Sequence, residues 1–195
     1  LCLVNYLFAL CLFIYICASR AYSSRQIRLK RYPVMGFLVV VVFQGAFTYF
    51  TAMTGIAEGQ LQPEVSTFFI LVACSLQIAG AYPLTQVYQH RQDLKDGVVT
   101  LSYRLGYTGT FLFTASMFLL CNVFYYLYFS AAQRLLNFFV LQLFFLPVIV
   151  FFCWWFYQVS VNSEQANFKN AMRMNWVASV SMNFCFIVLY IINHY

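Results

Sequence analysis

What most limits this chain is a succession of apolar runs of bilayer length, among them "MGFLVVVVFQGAFTYF" and "LLNFFVLQLFFLPVIVFFCWWFY". A helix rises 1.5 Å per residue, so about 20 consecutive apolar residues cross a hydrocarbon core. An amphipathic helix on a water-soluble domain would interrupt such runs with a polar face. Here 63% of residues are hydrophobic and 8% are charged, against about a quarter charged in soluble domains. No segment sustains the period-two alternation that a membrane barrel needs. The chain therefore reads as all-α, a polytopic transmembrane helix bundle.

Six spans are expected, at roughly 1–19, 33–54, 66–88, 105–129, 135–157 and 172–193, within one transmembrane domain and without an internal repeat. Pro33 fits a helix start and Pro147 a kink, while Pro83 would weaken the third span near its end. The opening run has no basic residue before it and is too long for a signal-peptide core. It reads as a helix already under way, so the chain is expected to begin inside a longer protein. The seven cysteines are scattered through apolar runs with no C-x-x-C pair, the pattern of small buried hydrophobes.

The formal charge is +6, but position decides what it means. Arg20, Arg25, Arg28, Lys30 and Arg31 lie in the first connection, Arg91, Lys95 and Arg104 in the third, and Lys169 and Arg173 at the fifth. Ten of the eleven basic residues thus fall on alternate loops, leaving Arg134 on the other side with Glu58 and Glu64. That asymmetry predicts a cytoplasmic face for the charged loops and a membrane-lipid partner, with no nucleic acid.

One loop is unusually crowded. "VYQHRQDLKDGVVTLSYRLG" holds His90, Arg91, Asp93, Lys95, Asp96 and Arg104. If the third helix continues, Gln86, Gln89 and Asp93 share a face, with Gln77, Ala81 and Thr85 extending the stripe and Asp96 one turn further on. Ionisable groups at membrane depth usually face a cavity. Amide and carboxylate oxygens suit a hard cation such as Mg2+, which reaches proteins through few carboxylates and substrate phosphates. The alternative is an ordinary polar turn with a positive-inside lysine. His90 is expected to be an interfacial side chain. A second basic cluster, "AYSSRQIRLKRYP", puts Tyr22, Arg25, Arg28 and Lys30 on the same side, where guanidinium and ammonium groups can meet either a phosphate or lipid headgroups. Arg31 is expected to act as an anchor.

These blocks carry a resemblance. Across its whole length the chain resembles the UbiA superfamily of intramembrane prenyltransferases, through "AYSSRQIRLKRYPVMG", "YQHRQDLKDGVVTLSYRLG" and, more weakly, "NFKNAMRMNW". The resemblance implies nine helices around a lipid-open cavity, of which these would be the last six. It also implies two aspartate-rich motifs that hold Mg2+ on a polyprenyl diphosphate donor. On this basis Asp93, Lys30 and Arg28 are the expected catalytic residues. Tyr22, Gln86, Gln89 and Lys95 would bind substrate, and Asp93, Gln89 and Asp96 would hold the metal. The acceptor would be aromatic or otherwise lipophilic. Two departures stand out. Nothing in the sequence supplies the first motif, and the positions eleven and eight before Gly97, usually acidic, are Gln86 and Gln89. A noncatalytic family member, lipid-binding scaffold or transporter is the alternative.

Overall fold

A computed structural model of the chain describes residues 5–24, 29, 32–56 and 64–194, with the side chain of Arg91 left out. Among these residues there are helices and turns and no strand. Among the described residues, six helical spans are long and apolar enough to cross a membrane. They comprise α1 (Tyr6–Ser23), a composite second span of α2 (Pro33–Val41) and α3 (Thr48–Ile56), α4 (Val65–Thr85), α6 (Leu101–Ala131), α7 (Leu135–Val161) and α8 (Phe168–His194), with the short α5 (His90–Lys95) between the third and fourth spans.

The helix starts follow local chemistry. The Asn5 side chain accepts a 2.7 Å hydrogen bond from the Phe8 amide and caps α1. Its amide nitrogen also donates to the Thr54 carbonyl at 2.7 Å, tying the first span to the second. Pro33 opens α2, where its missing N–H costs nothing. Thr100 accepts from the Tyr103 amide at 3.2 Å and so starts α6 at Leu101, four residues before the sequence pattern predicts. Pro147 lies inside α7, which runs unbroken through it.

Lipid tails are as apolar as leucine, so helices in a bilayer are held by close packing and interhelical hydrogen bonds. The most extensive packing joins α4 to α6. There the Thr114 hydroxyl donates to the Gly80 carbonyl at 2.9 Å, the Cys121 thiol to the Ala73 carbonyl at 3.2 Å, and the Tyr125 hydroxyl to Gln77 Oε1. Gly80 lets the Phe118 ring settle against α4; a Cβ there would lie 3.3 Å from the ring. Near the other end of α4, Leu84 and Val87 join a core with Phe111, Val148, Trp155 and Met174. Phe111 stacks on Phe156 with centroids 5.1 Å apart and meets Trp155 edge-on. The Trp155 indole donates to the Gln165 carbonyl at 2.8 Å, so the loop before α8 is pinned to α7. Large apolar side chains such as Leu119, Leu143 and Phe184 face outward, as a hydrocarbon solvent allows.

The second span is bent. Between α2 and α3, Val42–Phe47 form a wider π-type turn centred on Gly45, whose φ, ψ of −92°, −105° are not helical. The freed amide of Ala46 donates to Ser75 Oγ on α4 at 3.1 Å. A Cβ on Gly45 would approach Ser75 Cα to 2.5 Å. Gly45→Ala should therefore destabilise the protein by about 1–3 kcal/mol through overpacking, and Ser75→Ala by about 1 kcal/mol through the lost hydrogen bond. Thermal unfolding in detergent micelles checks that order: Gly45→Ala should lower the midpoint further.

Candidate active site

The crowded stretch does not continue α4 as a single α-helix. Pro83 has no amide proton to give, and the last turn tightens, with the Gln86 amide bonded to the Pro83 carbonyl at 3.1 Å. One 3-10 turn follows over Val87–Gln89, closed by the Gln89 amide on the Gln86 carbonyl at 2.9 Å, and then α5 begins. Helix α5 ends within two turns. Gly97 adopts φ +66°, its amide reaches the Leu94 carbonyl at 3.1 Å, and the Val98 amide reaches the Asp93 carbonyl at 2.8 Å. This paired closure, with glycine in the left-handed position, is the Schellman stop.

Despite the break, Gln86, Gln89 and Asp93 line one cavity of about 270 Å³. Tyr22 reaches it from α1, Gly36 and Phe37 from α2, Tyr82 and Thr85 from α4, and Thr100 and Leu101 from the start of α6. The Tyr22 and Tyr82 hydroxyls are hydrogen-bonded to each other and join α1 to α4 at the cavity wall. The Gln89 amide nitrogen donates to the Tyr88 hydroxyl at 2.7 Å, which leaves its carbonyl oxygen as an acceptor. Gln86 is 8% exposed, and its Oε1 is buried with no hydrogen-bond partner. A buried acceptor left unmet costs about 1–3 kcal/mol, so the wall is short of a donor or a cation.

Lys95 and Asp96 are placed differently from the expectation. Both are exposed, and neither is among the residues lining the cavity. Asp96 was expected one helical turn beyond Asp93, but α5 stops at Lys95 and Gly97 turns the chain away. Arg25, Arg28, Lys30 and Arg31 lie outside the described residues. His90, expected to be interfacial, is packed inside the protein: it is 7% exposed, and burial pushes its pKa below the ordinary histidine value. Tyr82 and Thr100 are cavity residues that the pattern of charge did not single out. Tyr82 carried one signal, a place one helical turn before Gln86.

Apolar hollows lie next to the cavity. Thr85 also lines a second hollow of about 100 Å³ with Gln77, Ala81, Leu84, Phe118 and Trp155. Gln77, Phe118, Phe145, Val148 and Met174 are shared in turn with a third, of about 240 Å³, between α4, α6, α7 and α8. A polar chamber thus adjoins a run of greasy ones, an arrangement that suits an amphiphile with an anionic or metal-bound head and a hydrocarbon tail.

The family model of the UbiA prenyltransferase family matches residues 1–178. The chain belongs to that family. It is accordingly a multi-pass integral membrane protein of the intramembrane prenyltransferases, a class that takes a prenyl diphosphate donor and a lipophilic acceptor and generally depends on a divalent metal. No curated protein and no solved structure matches the chain.

The resemblance implies aspartate-rich motifs around a metal, and the cavity is lean by that standard. Among the described residues no three His, Cys, Asp or Glu side chains are grouped to hold a metal ion. One carboxylate, Asp93, and the two amides nevertheless form a set of oxygen donors. Gln86 Oε1 is a buried acceptor without a hydrogen-bond partner, and a hard cation would suit it. Such a cation would have to complete its shell with water and donor oxygens.

The Schellman stop is testable by itself. A Cβ at Gly97 would meet nothing within 4 Å, so the cost of Gly97→Ala is conformational alone. It should be about 1–2 kcal/mol, read as faster hydrogen exchange at Gly97 and Val98 with little change in α4.

Proposed function

We propose that this UbiA-family chain transfers a polyprenyl group from its diphosphate to an aromatic or other lipophilic acceptor, as in the making of quinones or other isoprenoid lipids. The single observation that carries this reading is that the polar chamber lined by Asp93, Gln86 and Gln89 lies beside an apolar hollow, with Thr85 lining both. The diphosphate would sit in the first and the isoprenoid chain in the second.

Asp93, with the carbonyl oxygens of Gln89 and Gln86, would hold Mg2+. When bound, the ion would neutralise the diphosphate and ease departure of pyrophosphate. The Tyr22–Tyr82 pair would orient the headgroup by hydrogen bonding. Arg28 and Lys30, which belong to the neighbouring basic connection, would add positive charge where the leaving group gains negative charge. Lys95 and Asp96, off the cavity wall, take no part in this assignment. The allylic carbon–oxygen bond breaks with its electron pair leaving on pyrophosphate. A carbon or oxygen of the acceptor then bonds to the allylic carbon and loses a proton. The basic loops favour a cytoplasm-facing mouth.

The family's second motif usually has acids where Gln86 and Gln89 stand, which is the specific ground for a noncatalytic member as the competing reading. An assay of the full protein with Mg2+, labelled polyprenyl diphosphates and a panel of aromatic and lipid acceptors separates the two. Prenylated product supports the enzyme; donor binding with no product and no pyrophosphate release across the panel supports a scaffold. Asp93→Asn should abolish Mg2+-dependent donor binding while the helical circular dichroism stays unchanged. Unaltered donor affinity in that variant would remove Asp93 from the site. Conversely, Gln89→Asp adds a charged oxygen ligand and should lower the Mg2+ concentration needed for half-maximal donor binding.

A further inference from the structure

Helix α5 is six residues long, too short to be stable alone, because helix nucleation is costly and few bonds repay it. Among its described side chains only His90 is buried; Gln92, Leu94 and Lys95 are exposed and Asp93 is half-buried. His90 is thus the buried anchor among the described side chains of α5. Its ring stacks on Tyr107 with centroids 5.0 Å apart and planes 17° from parallel, and Tyr103 meets it edge-on at 5.6 Å. Its Nε2 lies 2.9 Å from Ser102 Oγ, which lies 3.1 Å from Thr110 Oγ1.

The directions of these bonds follow from the far end. Thr110 has a single hydroxyl proton, and its shortest contact is to the Gly106 carbonyl, at 2.7 Å. With that proton used, Ser102 must donate to Thr110, and His90 Nε2–H donates to Ser102. The Gly106 carbonyl is presented for this purpose by a break in α6, where Gly106 takes φ 67°, ψ −179°, a conformation open in practice only to glycine. The chain of bonds thus runs from α5 through the first turn of α6 to the helix beyond its break.

We propose that His90 is a positioning residue: held between two tyrosines and bonded through Ser102 and Thr110 to the Gly106 carbonyl, it sets the short helix so that Asp93 and the adjoining Gln89 stand at the cavity wall. It touches neither donor nor acceptor and acts through those two residues. The proposal depends on the prenyl-transfer reading for its catalytic consequence, and on the fold alone for its mechanical one.

The two are separated by measuring hydrogen exchange and farnesyl diphosphate turnover on the full protein in lipid nanodiscs, for wild type and for His90→Ala, His90→Gln and Ser102→Ala. His90→Ala should speed exchange of the Asp96, Gly97 and Val98 amides at least tenfold, with α4 and the part of α6 beyond Gly106 unchanged. It should also raise the KM for farnesyl diphosphate more than it lowers kcat. Glutamine, whose amide N–H can replace the imidazole donor, should recover most of both effects. Should the alanine variant fail to fold, Ser102→Ala removes only the hydroxyl link and should show the same pattern with smaller amplitude. Unchanged exchange at residues 96–98, or an unchanged KM in a folded His90→Ala protein, overturns the proposal. Absence of turnover in wild type across the whole panel of donors and acceptors would instead defeat the prenyl-transfer reading, and the exchange result would still decide whether His90 holds α5.

Discussion

Peptide groups inside hydrocarbon have no water to bond with, and the breaks within the described membrane-spanning helices are shaped by that constraint. At the π-type turn of the second span the freed Ala46 amide is met by Ser75 Oγ. At Gly106 the carbonyl is met by Thr110. Between α4 and α6 the chain turns sharply, and 3-10 and Schellman bonds satisfy the backbone at Gln86, Gln89, Gly97 and Val98. Irregular backbone is tolerated at such depth where it lines a cavity or is buried in protein. Two such stretches, Val87–Gln89 and the turn at Gly97, border the polar chamber.

The crowding of scarce charge follows from the same economy. A carboxylate beside an apolar bundle is costly unless something of opposite charge or a set of donors meets it. Asp93 is half-buried at a cavity wall with two amide side chains beside it, one of which has an unmet buried oxygen. The resemblance to the UbiA family implies acids at these two positions; neutral carbonyl oxygens in their place lower the electrostatic cost of the cavity.

Much of this was legible along the chain. The six spans, the resemblance to the UbiA family and the role of Pro83 as a weak point near the end of the third span all rest on local pattern. Grouping Gln86, Gln89 and Asp93 assumed an uninterrupted helix, and the premise was wrong: the helix breaks after Thr85. The three residues still line one cavity. Asp96 shows where the same assumption misleads, because the left-handed Gly97 ends the helix before its side chain can join the others. His90 was read from its place in a polar loop as interfacial. Its burial depends on Tyr103, Tyr107 and Ser102, which lie beyond the turn at Gly97.

By itself, then, the sequence determined the solvent this protein lives in, the number of spans visible in it and the family to which it belongs, because hydropathy and motif spacing are properties of neighbours along the chain. Only the tertiary structure decided that Tyr22 meets Tyr82, that Thr85 stands between the polar chamber and an apolar hollow lined by Phe118 and Trp155, and that His90 packs against Tyr103 and Tyr107. Each of these joins residues far apart in the chain or across a turn of Gly97 or Gly106. Such meetings depend on how closely helices can approach, and that is set by small residues, broken turns and interhelical hydrogen bonds acting together.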